Sequence, residues 1–359
     1  MILKMRSNLK HWRESATVIA LARSNTIKDV KSNYEILFQK RSAKSEFMPS
    51  TIVFPGGAID NSDSSDNWLS YFKSFNIADH KFKEFQLASA PISKIFQHSS
   101  DPNLRQIELR ITAIRETFEE LGVLICKKHH DDPTTSYMTE FDVKHWQKKV
   151  HKDPQEFLSL CQSLNCYPDI WSLYLWSNWL TPIKKVPSHR FDAVFFLTFF
   201  DKKPPVNIDG KEVSEFRWST PENILESFKA KELVLPTPQW YELTRLAGLP
   251  DMDQLKTFAA TRSRYGCELF FPIYQDAKDG IVVILPGDSY YPKNPDFYQK
   301  MELFSDQTTL QELRDTSESV HRIIYHNPHT ISLEIKNYTP THCHLSPQPE
   351  IIPTLNHKL

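Results

Sequence analysis

The sequence predicts an α+β fold, and three kinds of segment carry this prediction. Residues 15–23 and 34–41 are apolar and rich in β-branched side chains, as expected of two strands joined by a polar hairpin loop. Residues 190–200 (RFDAVFFLTFF) form an apolar run of strand length, which predicts a buried strand. Residues 103–121 repeat apolar side chains every three or four positions, which is the period of an amphipathic helix.

The other elements follow in chain order. A short strand should end at Phe54, and residues 61–102 contain short Phe-rich amphipathic helices. The pattern over 142–164 predicts helix, with Pro154 starting a second segment. Later strands or helices are predicted at 123–128, 212–219, 220–229 and 236–248. After about Gly266 the texture changes, and residues 266–359 should form a β-rich C-terminal appendage.

Composition excludes several classes of protein. The chain of 359 residues is 40% hydrophobic and 24% charged, with a net charge of −1, so there is no overall basic field for nucleic acid or an anionic membrane surface. Its apolar runs are too short to span a bilayer. The five cysteines are widely spaced and contain no CxxC pair, which argues against structural zinc or a disulfide framework and favours a reducing compartment.

The segment VFPGGAID (53–60) joins a buried strand to a proline and two adjacent glycines. Because the chain has only 8 glycines, an adjacent pair indicates a sharp turn or a close approach of backbone to a ligand. A second feature lies on the helix over 103–121. Three of its glutamates, Glu116, Glu119 and Glu120, fall within a narrow arc opposite the apolar stripe. Clustered carboxylates suit Mg²⁺, although a solvated acidic face has the same appearance.

RETFEELG (115–122) resembles the second half of the Nudix box, G-x5-E-x7-R-E-U-x-E-E-x-G-U, in which U is a bulky aliphatic residue. Gly57 within FPGG supplies the first half, while Thr117 replaces the first U. Gly57 and Arg115 are 58 positions apart where the pattern has 14, an excess of 44 residues. An insertion at this point is a feature of the Nudix-type-19, or peroxisomal coenzyme A diphosphatase, subgroup. The first acid of the pattern is Asp63 here, and whether it reaches Arg115 is left open.

The resemblance implies a Nudix fold, an α/β/α sandwich around a mixed sheet. Residues 12–265 would be the Nudix domain, with 61–102 as a helical insertion inside the box, and 266–359 would pack on it as an extension. The resemblance also implies that Glu116, Glu119 and Glu120 bind metal together with the carbonyl of Gly56. It makes Arg115 the residue that orients the glutamates and Glu116 the candidate base. A further acidic ligand usually precedes a late strand, and the candidates are Glu212 and, behind it, Glu215.

A second resemblance concerns the substrate. Coenzyme A–cleaving Nudix proteins carry an aliphatic strand, Arg-Ser and a glycine just before FPGG. Here Arg41 and Ser42 fit in register, and Ser50 stands at the glycine position. Lys40, Arg41 and Ser42 would therefore bind the substrate. Arginine is well suited to phosphate, although a basic strand end in solvent would look the same.

The function predicted from both resemblances is hydrolysis of coenzyme A and acyl-coenzyme A to 3′,5′-ADP and (acyl-)4′-phosphopantetheine with Mg²⁺ or Mn²⁺. The alternatives are a Nudix hydrolase of ADP-ribose, NADH or capped RNA, and a Nudix-fold binding module without turnover. Acyl-chain preference, oligomeric state and the role of the insertion as lid, acyl-chain groove or interface are left open.

Three further segments carry weaker signals. The C-terminal His-Lys-Leu (357–359) matches two of three positions of a peroxisomal address, so a peroxisomal location with an import receptor as partner is expected, with cytoplasm or mitochondrion as alternatives. HHDD (129–132) and HCH (342–344) are more typical of loops than of metal sites. The aromatic segment 171–182 suggests core packing or, less favoured, a stacking surface for a ligand.

Overall fold

The computed structural model describes most of the chain. The described residues are 12–24, 31–64, 66–88, 93–97, 101–128, 137–183, 189–327 and 330–348. HHDD and the C-terminal His-Lys-Leu therefore lie outside the described residues.

Strands account for most of the framework. The strands of the described residues are β1 (Arg13–Arg23), β2 (Tyr34–Arg41), β3 (Ile52–Val53), β4 (Gly56–Ala58), β5 (Cys126–Lys127), β6 (Tyr167–Pro168), β7 (Tyr174–Leu180), β8 (Phe191–Phe200), β9 (Val213–Ser219), β10 (Leu269–Phe270), β11 (Ile273–Ala277), β12 (Gly280–Ile284), β13 (Val320–Asn327) and β14 (Thr330–Lys336). The α-helices are α1 (Asp66–Ser74), α2 (Asp79–Phe82), α3 (Pro102–Leu121), α4 (Val143–Lys152), α5 (Glu156–Leu164), α6 (Pro221–Lys229), α7 (Thr237–Ala247), α8 (Met252–Arg262) and α9 (Leu310–Thr316).

The central sheet is mixed, as predicted. Its order is β10-β7-β8-β1-β2-β3, with β4 also paired to β1 and β9 to β2. Strand β1 runs parallel to β8 and antiparallel to β2 and β4. Side chains alternate between the two faces of a strand, so β1 serves two cores. Ala16, Val18 and Ala20 face the core that contains α3, whereas Ile19 and Leu21 face the core that contains α7. Helices cover both faces, and the α+β sandwich is confirmed.

Helix α3 carries the predicted carboxylates, and both of its ends are capped. The Asp101 carboxylate accepts the Asn103 N–H at 2.8 Å, and Pro102 occupies the first turn, where it costs no hydrogen bond. Gly122 ends the helix at φ +68°, a conformation that glycine adopts without strain. The next carbonyls, of Leu121 and Glu120, accept backbone N–H groups from 207 and 209. The glutamate-bearing end of the helix is thereby fastened to a later loop.

The insertion is part of the core. Trp68 and Phe72 of α1 are buried with Phe96 in the cluster that includes α3. Phe72 contacts the ring of Tyr167 at a centroid distance of 6.0 Å. The many phenylalanines of this region therefore fill the space beside α3.

The C-terminal extension forms the four-stranded sheet β11-β12-β13-β14. Val283, Ile323 and Leu333 from this sheet share a core cluster with Trp240 and Tyr241 of α7. Strand β10 pairs with β7 in the central sheet, although it follows the expected boundary near 266. The extension and the larger domain are thus joined through a common core.

The sequence pattern did not predict every element of the structure. Strand β7 lies within the aromatic segment 171–182, where Trp176 and Trp179 are both buried. His344 of HCH is held against Trp176, with ring centroids 4.3 Å apart, so this histidine packs in the structure. No described helix is both long and apolar enough to cross a bilayer.

Candidate active site

The two halves of the divided motif are neighbours in space. The Gly56 N–H donates to Oε2 of Glu120 at 2.9 Å. A β-carbon built on Gly57 would lie 2.4 Å from Oε2 of Glu116, so the backbone of Gly57 packs directly on that carboxylate. Strand β4 is held there by pairing of Gly56 with Thr17 and of Gly57 with Ala16. The chain therefore returns from the insertion to the glycine turn, and the two halves of the motif meet.

Arg115 is anchored by Asp63, which lies in the first turn of the insertion (61–102). Its Nε donates to Oδ1 of Asp63 at 2.8 Å, and Nη2 donates to Oδ2 at 2.9 Å. The same Nη2 donates to the carbonyl of Ala58 at 3.0 Å, and Oγ1 of Thr112 donates to Asp63 at 2.8 Å. Asp63 is 2% exposed, so this bidentate pair is shielded from water. The question of whether Asp63 reaches Arg115 is answered by this contact.

The free edge of Arg115 faces the carboxylates. Nη1 lies 2.5 Å from Oε1 of Glu119 and 2.9 Å from Oε1 of Glu116. Burial lowers the pKa of Arg115, but the charges of Glu116 and Asp63 outweigh burial and raise it above its usual value. Arg115 therefore stays charged and orients two of the three predicted metal ligands.

The three glutamates are largely withdrawn from water. Glu119 is 8% exposed and Glu120 is 4% exposed, which does not fit a solvated acidic face. Burial raises the pKa of Glu116 to about 8, with Arg115 acting against that rise. Burial also raises the pKa of Glu119, and it raises that of Glu120 well above its usual value. Buried carboxylates with raised pKa values are common where charge is used functionally.

The donor set fits a hard divalent cation by its chemistry. Carboxylate and backbone carbonyl oxygens are the ligands that Mg²⁺ and similar ions take. In the part of the chain that the structure describes, no three His, Cys, Asp or Glu side chains already surround one cation position. Instead Glu119 bonds to Arg115 and Glu120 to the Gly56 N–H. A bound cation would replace these two contacts of Glu119 and Glu120 with bonds to the metal. Its positive charge would offset the negative charge of the carboxylates.

Cation binding should depend on pH in a defined direction. Because the pKa of Glu116 is raised to about 8, this side chain holds a proton below that pH that a cation must displace. Affinity for Mg²⁺ should rise as pH increases from 6.5 to 8.5, by up to about tenfold per unit for each proton released. Titration calorimetry in buffers of different ionisation enthalpy measures both the affinity and the number of protons released. An affinity independent of pH, with no proton release, would contradict the raised pKa.

The carboxylates open onto a cleft of about 1200 Å³ between the central sheet and the C-terminal extension. Glu116, Glu119 and Glu120 line one end of it. The described residues of the insertion (61–102) are all absent from the lining of this cleft. In this structure the insertion supports α3 from the opposite side of the site.

Glu212 lines the same end of the cleft as Glu120. The carboxylate of Asp209 accepts the N–H groups of Glu212 and Val213, each at 3.0 Å, and the Asp209 N–H donates to the carbonyl of Glu120 at 3.1 Å. The loop before β9 is thus fixed to the end of α3. Glu215 does not line the cleft and pairs with Lys40 at 3.1 Å. Of the two candidates for a further ligand, the position of Glu212 is the suitable one.

The three predicted substrate-binding residues differ in placement. Arg41 lines the cleft, where its Nε donates to the carbonyl of Phe47 at 2.9 Å. Ser42 and Lys40 are not among the described lining residues. The Ser42 N–H donates to the carbonyl of Glu212 at 2.8 Å, so Ser42 fixes the loop that carries this acid.

His151 was not predicted, although it lies beside the carboxylates. It belongs to α4, lines the cleft, and places Nδ1 3.8 Å from Oε2 of Glu119. A single histidine on a separate helix has no spacing relation to the box. Only a prediction of how α4 packs on α3 would have found it.

Comparison with known proteins agrees with this geometry. A family model described as the NUDT19 Nudix domain matches residues 12–246, and one described as the NUDT19 C-terminal domain matches residues 276–336. The acyl-coenzyme A diphosphatase NUDT19 of Xenopus laevis is 34% identical, with 96% of this chain and 97% of that protein covered. The human protein of the same name is 32% identical, with 97% and 98% covered.

Solved structures support the fold. The crystal structure of a NUDIX hydrolase from Alicyclobacillus acidocaldarius superposes with a TM-score of 0.50 at 20% identity, covering 68% of this chain and 96% of that one. The matched models span most of the chain, and the relatives match nearly all of it. The chain therefore belongs to the Nudix hydrolase superfamily and, within it, to the NUDT19 group.

Proposed function

We propose that this enzyme hydrolyses the diphosphate of coenzyme A and acyl-coenzyme A, releasing 3′,5′-ADP and (acyl-)4′-phosphopantetheine. The observation that carries the proposal is the assembly of Glu116, Glu119 and Glu120 with the glycine turn at one end of a long cleft. Relatives from frog, chicken and human bear the name acyl-coenzyme A diphosphatase. At about 1200 Å³ the cleft exceeds the roughly 300–1,000 Å³ usual for small ligands, which suits a substrate with two long arms.

Nudix hydrolases in general use divalent metal ions, and we propose Mg²⁺ or Mn²⁺ here. When bound, such an ion neutralises charge on the diphosphate oxygens. Glu116, Glu119, Glu120 and Glu212 would hold it with the carbonyl of Gly56. Arg115 keeps Glu116 and Glu119 in place.

The proton transfers can be followed on residues of this chain. Attack of water on phosphorus forms one P–O bond, breaks the bridging P–O bond and leaves the second phosphate as the leaving group. The carboxylate of Glu116, which lies against the glycine turn and lines the cleft, is the candidate acceptor of the proton from water. The departing phosphate needs no proton to leave at neutral pH.

Product analysis tests the proposal. Purified protein with Mg²⁺ or Mn²⁺ is offered coenzyme A, acyl-coenzyme A, ADP-ribose, NADH and capped RNA in parallel. Release of 3′,5′-ADP from the first two is the expected result. Cleavage of ADP-ribose or NADH with coenzyme A left intact would overturn the substrate class, and no turnover of any compound would indicate a binding module.

The peroxisomal location stays a prediction, and a fluorescent fusion with and without residues 357–359 tests it by microscopy.

A further inference from the structure

The cleft has a second end that the chemistry of the carboxylates does not use. Along the sheet, Gly57 of β4 pairs with Ala16 of β1, which pairs with Val194 of β8, and Ala193 beside it pairs with Trp179 of β7. Three strand spacings separate Gly57 from Trp179, which amounts to roughly 14 Å. Both residues line the cleft. A ligand that starts at the carboxylates can therefore extend across the sheet toward β7.

The floor of this far end is apolar, whereas Asp276, Lys300 and His326 of the C-terminal extension also line the cleft. Its floor is built from Trp179, Ala193 and Phe195, whose side chains alternate onto the cleft face of their strands. Leu235 and Pro236, in the segment that enters α7, also line it. Trp179 is fixed by stacking on Phe270 at a centroid distance of 4.6 Å, so the floor is rigid.

The C-terminal extension completes this end. Tyr274 and Tyr325, both from its sheet, place their hydroxyls 2.5 and 2.8 Å from Oγ1 of Thr237. Ile281 and Val234 line the same cleft, and they are 42% and 48% exposed. Exposed aliphatic side chains that border a cleft mark a surface suited to an apolar ligand.

One buried polar group in this end has no partner. Gln239 of α7 is 8% exposed and lines the cleft, and its Oε1 accepts no hydrogen bond from any described residue. A buried acceptor left unbonded is unfavourable, so such atoms usually have a ligand or a water as partner. A molecule with both apolar length and an N–H donor would satisfy the two features together.

We propose that the apolar end binds the acyl-pantetheine arm of the substrate, with Oε1 of Gln239 accepting an amide N–H of the arm and Ile281 contacting the acyl chain. The inference rests on the proposed function and adds to it which part of the molecule lies where. The pantetheine arm carries two amide N–H groups and ends in a thiol or an apolar acyl chain. The other half of coenzyme A, released as 3′,5′-ADP, carries two phosphates, which an uncharged floor of Trp179, Ala193 and Phe195 would not stabilise.

The substitution Ile281→Asp tests the acyl-chain contact. It should lower kcat/KM for dodecanoyl-coenzyme A about tenfold relative to coenzyme A, because a carboxylate at the mouth opposes an apolar chain. Phe216→Asp is the matched control, since Phe216 is 44% exposed but does not line the cleft. Val234→Asp gives a second variant on the rim. An unchanged ratio between the two substrates in both rim variants would overturn the acyl-chain assignment.

The substitution Gln239→Leu tests the amide contact. It should raise KM for coenzyme A and dodecanoyl-coenzyme A alike by about tenfold and leave kcat nearly unchanged, because the contact is uniform through the reaction. Inhibition by 3′,5′-ADP should not change. If Gln239→Leu leaves KM unchanged and instead weakens inhibition by 3′,5′-ADP, the nucleotide occupies this end and the proposal is wrong.

Direct binding separates the inference from the proposed function. Calorimetry with S-dodecanoyl-4′-phosphopantetheine needs no turnover. The expected result is that the wild-type protein binds this compound and that Ile281→Asp weakens the binding about tenfold. This result supports the arm site even if coenzyme A is not cleaved. A wild-type protein that cleaves coenzyme A but binds this compound no better than Ile281→Asp does would overturn the inference alone.

Discussion

Replacement of Glu119 by glutamine should lower kcat for diphosphate hydrolysis at least about 1000-fold. The change keeps the size of the side chain but removes its charge. Oε1 of Glu119 lies 2.5 Å from Nη1 of Arg115, and Oε2 lies 3.8 Å from Nδ1 of His151, so the carboxylate is central to the cluster. Steady-state kinetics at saturating Mg²⁺ measures the loss, and calorimetric titration should show weaker Mg²⁺ binding.

The control is Glu215→Gln. Glu215 follows Glu212 in the same region but pairs with Lys40 and does not line the cleft. Its variant should retain wild-type kcat, and both variants should unfold cooperatively with the native circular dichroism spectrum. Glu119→Gln with more than a tenth of wild-type activity would remove this carboxylate from the reaction.

Gly57→Ala should lower kcat about 100-fold while the fold is preserved. The added methyl group would lie 2.4 Å from Oε2 of Glu116, which is the far end of a flexible side chain. The backbone can therefore remain in place, but the carboxylate of Glu116 must move away from its position beside Arg115. Kinetics gives the loss of activity, and thermal unfolding should differ little from that of the wild type.

Gly56→Ala is the informative comparison, because its methyl group would meet backbone. It would lie 2.3 Å from the carbonyl oxygen of Ala16 and 2.6 Å from Cα of Thr17, and φ of Gly56 is +149°. Neither atom can turn aside, so strand β4 must shift and the free energy of unfolding should fall by about 1–3 kcal/mol. Urea denaturation measures it. Equal losses of stability in the two variants would show that Gly57 is also a folding position.

The sequence predicted those parts of the site that belong to one local pattern. The period of α3 and its cap at Gly122 were visible, and so were Glu116, Glu119 and Glu120 and the glycine turn that faces them. His151 and Gln239 were not, because each comes from a separate helix and its place depends on how helices pack. The contact of Asp63 was left open because the sequence does not show where the insertion leaves the framework.

Elements with mixed polarity were missed for a related reason. Helix α8 buries Met252, Leu255 and Ala259 at helical spacing, but polar residues interrupt the pattern. Strand β7 lies among tryptophans and leucines without alternation, because it is buried on both faces. A short apolar run of that kind fits a strand or a helix equally well until the neighbouring strands are known.

The bond from Gly56 to Glu120 and the pair of Asp63 with Arg115 have a consequence for folding. These contacts join the two halves of the box directly, and Gly57 and Arg115 are 58 positions apart where the family pattern has 14. Closing the longer loop costs about 1.3 kcal/mol more in chain entropy, because this cost grows only with the logarithm of length. The fold can therefore gain or lose residues at this point at a small cost in the free energy of folding, and the two halves of the active site still meet.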